Sequence, residues 1–286
     1  MVYWQTTIHL NGPLMAEKTF VQRLRQRQQA ANSRLCIGLD PDVARIPVTL
    51  AGGRSAADRI VAFNRAIIDA TADYACAFKL NLAFYEAHGS SGWTALERTV
   101  EMIPNDIISI ADGKRGDIGN TARFYAESLY SALDFDAATV APYMGSDAIL
   151  PFLEYEDRAA IVLCRTSNPS ADDLQLVATG SGPLYHRVAE WACQLNDANP
   201  GQVGLVVGAT RPSDLREVRR IATDLPILIP GVGAQGGDPQ ETIQAASSSS
   251  GLMIINSSRS ILYASEGPDF ALAARRAAAD LAAQLR

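Results

Sequence analysis

The chain has 286 residues, of which 48% are hydrophobic and 20% are charged. This composition is typical of globular proteins, and the length suits two average domains or one large α/β barrel of roughly 250 residues. The 25 lysines and arginines are outnumbered by 31 aspartates and glutamates, which gives a net charge of −6. A broad nucleic-acid-binding surface is therefore not expected, because such surfaces are positively charged, and any recognition of anions must be local.

Membrane insertion and secretion are not expected either. No apolar run reaches the ~18 residues that a bilayer span needs. The first residues also lack the basic-then-apolar order of a secretory signal. We therefore predict a cytoplasmic protein with no membrane partner.

The cysteines and histidines form no metal-binding pattern. The cysteines are far apart and include no C-x-x-C pair, so we expect them to be reduced and buried. The three histidines fit none of the zinc spacings. We expect no metal site, although a magnesium site made of carboxylates alone stays open. The four cysteines are Cys36, Cys76, Cys164 and Cys193.

Eight short apolar runs organise the chain, and each ends in polar or glycine residues before an amphipathic stretch. Runs that are buried on both faces are typical of parallel strands, and the stretches between them have helical periodicity. Eight such units predict a single (β/α)8 TIM barrel over residues 15–286, whereas five or six would favour an open doubly wound sheet. The runs are residues 35–40, 75–81, 107–112, 137–142, 160–166, 203–208, 226–230 and 252–256.

Helix signals divide the chain further. A charged helix over residues 17–29 is predicted to close the bottom of the barrel. Asn120 is predicted to cap the helix after the third strand, and Pro212 to open the helix after the sixth. Residues 1–14 have neither helical nor strand periodicity and are predicted to form a loose N-terminal extension.

Polar residues at the strand ends are the candidate functional residues, because the active site of a β/α barrel lies at the carboxyl ends of its strands. The first run ends in Asp40 and the second carries Lys79. The third ends in Asp112 and continues through Lys114 to Asp117. Side chains two residues apart share one face of a strand, so Asp112 and Lys114 are predicted to point together into the barrel mouth.

The charges around Lys114 indicate what this lysine can do. A lysine between two carboxylates, here Asp112 and Asp117, is favoured in its ammonium form. At ~4 Å and an effective dielectric constant of ~20, each pairing contributes ~4 kcal/mol before desolvation. Lys114 is therefore predicted to act as an acid. A Schiff-base lysine needs a neutral amine in an apolar pocket, so covalent catalysis is the less favoured interpretation.

A glycine-rich segment follows the seventh run. The sequence G-V-G-A-Q-G at 231–236 formally matches the dinucleotide-binding pattern G-x-G-x-x-G, but it follows a late strand, and Asn256 stands where an acidic residue is expected. The loops after strands seven and eight of a barrel commonly hold a phosphate. We therefore predict a phosphate site made of glycine-loop amides, Gln235 and Arg259.

Sequence blocks around these residues follow the pattern of one enzyme family. D-G-K-R-G-D-I at 112–118 fits the signature D-x-K-x-x-D-I, which alone would also suit related sugar-phosphate barrels. The other blocks are C-I-G-L-D-P-D at 36–42, F-K-L-N at 78–81, A-F-Y-E at 83–86, T-S-N-P at 166–169, P-G-V-G-A-Q-G at 230–236 and N-S-S-R at 256–259. Together, in this order, they show that the chain resembles the orotidine 5'-phosphate decarboxylases, specifically their longer bacterial subfamily.

The resemblance implies decarboxylation of orotidine 5'-monophosphate (OMP) to uridine 5'-monophosphate (UMP) and CO2, the last step of de novo UMP biosynthesis, without a cofactor. It implies that Lys114 donates the proton to C6 of the pyrimidine as CO2 leaves, within a charged array that includes Asp112 and Asp117. It places Lys79 against Asp112 and the ribose, and Asp40 on a ribose hydroxyl.

The resemblance also implies contacts at the two ends of the nucleotide. Ser167 matches the residue that meets the amide edge of the pyrimidine. The residues that match the phosphate end are Pro230, Gln235 and Arg259.

A shared active site is implied as well. In the family, the last aspartate of the signature and the isoleucine and threonine that follow it reach into the neighbouring subunit's site. Asp117, Ile118 and Thr121 occupy those places here, and residues 117 and 121 are one helical turn apart. A homodimer is therefore expected.

Three other functions compete with this interpretation. A related sugar-phosphate decarboxylase or aldolase-like enzyme would use magnesium held by carboxylates, but the T-S-N block at 166–168 favours a nucleotide substrate. A dinucleotide-dependent dehydrogenase would carry its fingerprint after the first strand. A catalytically silent binding barrel would gain nothing from burying the charges around Lys114. Arg165 departs from the family pattern, but we do not expect it to touch the chemistry.

Overall fold

The structure, a computed structural model, describes residues 18–50, 55–180, 182–233 and 236–286. Within these ranges eight parallel strands close into a barrel in which successive strands pair and the first pairs with the last. The predicted (β/α)8 fold is confirmed. The predicted extension at residues 1–14 lies outside the described residues. The strands are β1 (Leu35–Gly38), β2 (Ala77–Asn81), β3 (Ile108–Arg115), β4 (Ala137–Val140), β5 (Ala159–Arg165), β6 (Val203–Val207), β7 (Ile227–Pro230) and β8 (Met253–Ser257).

Helices connect the strands and cover the outside of the barrel. Those in the described ranges are α1 (Phe20–Ala31), α2 (Ala56–Thr71), α3 (Ala83–Glu86), α4 (Gly89–Val100), α5 (Gly119–Ala126), α6 (Leu150–Leu153), α7 (Asp172–Gln175), α8 (Leu184–Ala198), α9 (Pro212–Ile221), α10 (Pro239–Ala246), α11 (Arg259–Leu262) and α12 (Phe270–Gln284). A π-helical segment, Glu127–Ala132, continues α5. Single 3-10 turns lie at Val43–Arg45, Val48–Leu50, Ala72–Tyr74, Ser146–Ala148 and Pro169–Ala171. A short antiparallel pair, Ala178–Thr179 with Gly182–Pro183, lies outside the barrel.

Helix α1 closes the bottom of the barrel, as predicted. Thr19 accepts a hydrogen bond from the backbone of Gln22, so the helix begins at Phe20, three residues later than expected. Phe20 and Leu24 are fully buried and pack inside the barrel against residues at the start of the strands. Burying two such side chains contributes about 1.5–3 kcal/mol each.

The start of α5 differs from the prediction. The helix begins at Gly119 with Ile118 as the residue before it, so Asn120 lies inside the first turn and its predicted capping role is wrong. The helix therefore starts two residues earlier than a cap at Asn120 would give, at Gly119, whose φ of 54° lies in the left-handed region that glycine adopts easily. The prediction that Pro212 opens the helix after the sixth strand is confirmed, because α9 begins at that residue.

The cysteines are all free, but they are not all buried. Cys36, Cys76 and Cys164 are buried, as predicted, whereas Cys193 is only half-buried. Burial raises the pKa of the Cys76 thiol to about 12. Over the described ranges there is no grouping of three or more His, Cys, Asp or Glu side chains that could hold a metal ion. No helix in the same ranges has the length and apolar character needed to cross a bilayer.

Candidate active site

Buried charges meet at the carboxyl ends of β1, β2 and β3. The strand register places Lys79 beside Gly38 of β1 and Ile110 of β3, so its side chain enters the barrel next to Asp112. Lys79 Nζ donates to Asp112 Oδ2 at 2.8 Å and lies 3.9 Å from Asp40 Oδ1. Only 4% of the Lys79 side chain is exposed. The predicted convergence of these three residues is therefore observed.

Lys114 extends this row of alternating charges on the other side of Asp112. Its Nζ donates to Asp112 Oδ1 at 2.7 Å, and 45% of its side chain is exposed. The Asp117 carboxylate instead accepts the backbone N–H of Ile118 at 2.8 Å. Within the described part of one chain, Lys114 therefore does not lie between two carboxylates as predicted. Instead, Asp112 lies between two lysines. Asp117 lies beyond the end of β3, and its carboxylate binds the adjacent backbone N–H.

The charges hold Asp112 and Lys79 in their ionised forms. Burial alone would raise the pKa of Asp112, but the nearby Lys79 and Lys114 ammonium groups outweigh it and hold that pKa well below its usual range. Burial alone would lower the pKa of Lys79, but Asp40 and Asp112 outweigh it and raise that pKa above its ordinary value. The mouth therefore holds buried, fixed charges at neutral pH.

The backbone of Lys114 departs from a regular strand. Its φ is 45°, in the left-handed region that residues other than glycine rarely adopt. The pairing of β3 with β4 also shifts register between Ala111 and Arg115. Asp112 and Lys114 come together as predicted, but regular alternation along the strand is not the reason.

A cavity of about 530 Å³ opens above the charge row. Its walls include Asp40, Lys79 and Asp112 from the first three strands, and Pro230 and Arg259 from the ends of the last two. Arg259 is exposed at the start of α11. The cavity therefore brings the predicted ribose contact and part of the predicted phosphate site together with Lys79 and Asp112.

The glycine loop after β7 only partly fits the predicted phosphate site. Gly231 and Gly233 have φ angles of 102° and 81°, so the turn needs residues without a side chain. The N–H groups of Gly233, Gly236 and Gly237 donate to carbonyl groups within the loop and are not available to a ligand in this structure. Gln235 lies outside the described residues.

Five of the predicted site residues that the structure describes do not line this cavity. They are Lys114, Asp117, Ile118, Thr121 and Ser167. Ser167 lies beside Gly208 at the end of β6, where a Cβ would come within 1.9 Å of the Ser167 Oγ. Ile118 and Thr121 are exposed at the start of α5. In a single chain these residues therefore surround the mouth without contributing to its wall.

Arg165 has a role that its sequence context did not predict. A register shift at the end of β5 turns it outward, and it is 1% exposed. Its guanidinium donates to Asp214 and Asp172, both at 2.7 Å, and to Gln175 at 3.2 Å. Gln175 in turn accepts the backbone N–H of Thr166 at 2.9 Å. Arg165 therefore anchors the loop that carries Ser167.

Thr139 was also missed. It is 1% exposed on β4, and its hydroxyl contacts both Asp112 and the backbone of Lys114. A threonine within an apolar run carries no signal of its own in the sequence. Its contacts exist only because β4 lies beside the irregular end of β3.

Comparisons with known proteins show the family to which the chain belongs. Residues 33–274 match the model of a family described as "Orotidine 5'-phosphate decarboxylase / HUMPS family". A protein from Herpetosiphon aurantiacus named orotidine 5'-phosphate decarboxylase is 49% identical over 260 residues, covering 91% of this chain and 95% of that protein. One of the same name from Roseiflexus castenholzii is 51% identical over 251 residues, covering 87% and 90%.

A solved structure gives the same result. The OMP decarboxylase of Leishmania donovani is 37% identical, with a TM-score of 0.80, and the match covers 93% of this chain and 98% of that one. Sequence similarity and shared fold therefore both indicate the same family. The chain belongs to the orotidine 5'-phosphate decarboxylase / HUMPS family.

Proposed function

We propose that Lys114 protonates C6 of the pyrimidine while this enzyme decarboxylates OMP to UMP and CO2, the last step of UMP biosynthesis. The bond between C6 and the carboxylate breaks, its electron pair stays on C6, and the Lys114 ammonium supplies the proton there. The observation that carries the proposal is the row Lys79–Asp112–Lys114, with contacts of 2.8 Å and 2.7 Å, in which Lys79 and Asp112 line the cavity.

An electrostatic account fits this row better than ground-state repulsion. With no electron-sink cofactor in the proposal, the developing carbanion must be stabilised by nearby positive charge and by protonation. Asp112 could repel the substrate carboxylate, but such stress supplies only a few kcal/mol. The largest enzymatic accelerations correspond to ~20 kcal/mol or more. Lys114 is therefore proposed as the main catalytic group, and Asp112 and Lys79 as the charges that hold it.

The remaining contacts would orient the nucleotide along the cavity. Asp40 is proposed to bind a ribose hydroxyl, and Ser167 the amide edge of the pyrimidine. Arg259, which also lines the cavity, supports a phosphate position beside it. Binding energy gained at the phosphate can be used to orient and desolvate the pyrimidine, where the reaction occurs. Pro230 and Gln235 are proposed to belong to the same phosphate site.

The proposal includes a homodimer in which Asp117, Ile118 and Thr121 complete the partner's site. Large exposed apolar side chains after β3 and β4 support it, because exposed apolar surface of this kind is common at interfaces. They are Ile118, Phe124, Tyr143 and Met144, which are 54%, 57%, 82% and 51% exposed in the single chain. We also propose that the enzyme works in the cytoplasm, in keeping with its free cysteines, and that it has no nucleic-acid partner.

The test of this function is the loss of OMP absorbance with purified enzyme and excess chelator. We expect full activity, because the proposed chemistry uses side chains alone. The competing function is the magnesium-dependent sugar-phosphate enzyme considered from the sequence. Activity that is lost with chelator and restored by magnesium would favour that alternative and contradict the proposal.

The shared site is tested by mixing two inactive variants, Lys114→Ala and Asp117→Ala. In a mixed dimer one site lacks both residues and the other has both. Random exchange makes about half the dimers mixed, each with one good site of two, so activity should recover to about one quarter of wild type. Lys114→Ala mixed with Asp112→Ala is the control and should not recover, because these two residues pair within one chain at 2.7 Å. No recovery in the first mixture, after verified exchange, would show that each chain supplies its own aspartate.

A further inference from the structure

The junction between β3 and β4 is irregular at the position where the charge row is built. Ala111 pairs with Ala138, and the next pair is Arg115 with Val140. Three residues of β3, at 112–114, therefore lie opposite the single residue Thr139 of β4. Such a bulge interrupts the hydrogen-bond ladder and leaves backbone groups of the longer strand without their usual partners.

The Thr139 hydroxyl replaces the missing ladder bond. Its Oγ1 accepts the backbone N–H of Lys114 at 2.9 Å. The same oxygen donates its one hydrogen to Asp112 Oδ1 at 3.0 Å. Thr139 is 1% exposed, so water cannot substitute freely for either contact.

These two bonds fix both partners of the catalytic pair. The bond to the Lys114 N–H holds a backbone conformation, φ 45°, that a lysine rarely adopts. The bond to Asp112 places its Oδ1 where the Lys114 Nζ also binds, and leaves Oδ2 to Lys79. Thr139 is 1% exposed, and its hydroxyl is engaged by Asp112 and the Lys114 backbone, so it is not placed to bind substrate directly.

We propose that Thr139 is a positioning residue for the proton donor. Its hydroxyl sets the bulge that projects Lys114 and orients the carboxylate that Lys114 faces. The inference depends on the role proposed above for Lys114. Because Thr139 acts through Lys114 and Asp112, it should affect the chemical step and leave nucleotide binding almost unchanged.

The test compares Thr139→Val with Thr139→Ser. Valine keeps the shape of threonine and removes the hydroxyl, so we expect kcat for OMP to fall roughly 10- to 100-fold while KM and the Kd for UMP stay within about 3-fold. Serine keeps the hydroxyl and should restore kcat to within about 3-fold of wild type. Thr71→Val is the matched control: Thr71 is equally buried, and its hydroxyl donates to the Ile67 carbonyl at 2.7 Å, within α2.

A wild-type kcat in Thr139→Val, equal losses in the valine and serine variants, or a rise in KM with constant kcat would overturn the inference. If the valine variant does not fold, Thr139→Ala removes the same hydroxyl without adding volume and gives the same comparison. Lys114→Ala separates this failure from failure of the proposed function. An inactive Lys114→Ala with a fully active Thr139→Val refutes the role of Thr139 alone, whereas an active Lys114→Ala refutes the proposed catalytic role.

Discussion

Two buried aspartates on neighbouring strands each lie between two cations, at opposite ends of the barrel. Asp112, near the carboxyl end of β3, binds Lys79 and Lys114 at 2.8 Å and 2.7 Å. Asp136, immediately before β4, pairs with Arg23 and has Arg158 at 3.6 Å. Each carboxylate also accepts a hydroxyl of the adjacent strand at 3.0 Å, from Thr139 at the mouth and from Ser109 at the bottom.

The two sites differ in the kind of cation and in its freedom. Asp136 accepts a backbone N–H from Ser109 at 2.7 Å, and its partners are guanidinium groups, which keep their proton under all ordinary conditions. At the mouth the partners are ammonium groups, which can give up a proton, and one of them, Lys114, has 45% of its side chain exposed. The bottom row is thus suited to hold the fold, and the mouth row to move a proton.

Residue usage sharpens this contrast. The chain has 22 arginines and only three lysines, and two of those lysines, Lys79 and Lys114, stand at the mouth. A cavity of about 350 Å³ also lies beside Asp136, so a cavity next to a charge row does not by itself indicate catalysis. The chemistry of the cation distinguishes the two ends, in agreement with the general division of β/α barrels into a functional carboxyl face and a stabilising amino face.

The largest expected effect comes from Lys114→Ala. Loss of the proton donor and of its charge should lower kcat/KM for OMP on the order of 10⁴-fold. The free energy of unfolding should change by less than about 1 kcal/mol, because Lys114 is half-exposed and its ion pair is screened by solvent. Steady-state kinetics and urea unfolding measure both quantities. Lys18→Ala, at the one other lysine, is the control and should leave kcat/KM and stability unchanged. Equal activity in the two variants would contradict the assignment of catalysis to the lysines at the mouth.

Asp136→Asn should show the opposite pattern. Removing the charge leaves Arg23 and Arg158 without their shared partner, which should lower the free energy of unfolding by about 3 kcal/mol. The kcat for OMP should stay within about 2-fold of wild type, since Asp136 lies at the far end of the barrel. Denaturant unfolding and steady-state kinetics on the same preparation check this. A kcat that falls with unchanged stability would show that the bottom row takes part in function.

A smaller effect is expected in the acid dependence of stability. The native pKa of Asp112 is lowered, so its contribution is complete above the unfolded value of ~3.9 and is lost as pH falls from there toward the native pKa. Each unit of lowering corresponds to about 1.4 kcal/mol. The difference in unfolding free energy between wild type and Asp112→Asn should therefore shrink from pH 5 to pH 2. A difference that stays constant over this range would show that Asp112 gains nothing from its two lysines.

The fold could be predicted because its signal is local. Each barrel strand is an apolar run buried on both faces, and the eight runs together leave only a closed barrel as a simple arrangement. Residues of the mouth that lie in or end such runs, Asp40, Lys79 and Asp112, could be chosen for the same reason.

What could not be predicted depends on contacts between distant segments. The bulge that projects Lys114 needs the register of β4, which no pattern within β3 specifies. Arg165 is understood only with Asp172 and Asp214, which are 7 and 49 residues away. The roles of polar side chains inside an apolar run, such as Thr139 and Arg165, depend on contacts with other elements, which the run itself does not indicate.

The most direct test of the role of Lys114 is the OMP decarboxylation rate of Lys114→Ala as ethylammonium chloride is added. If the mouth works through an ammonium at this position, the small cation should enter the vacated space and raise the rate with concentration. Tetraethylammonium chloride at the same ionic strength has no proton to donate and should give no increase. A variant that binds UMP like wild type but responds equally to both salts, or that already turns over OMP at the wild-type rate, would contradict the account.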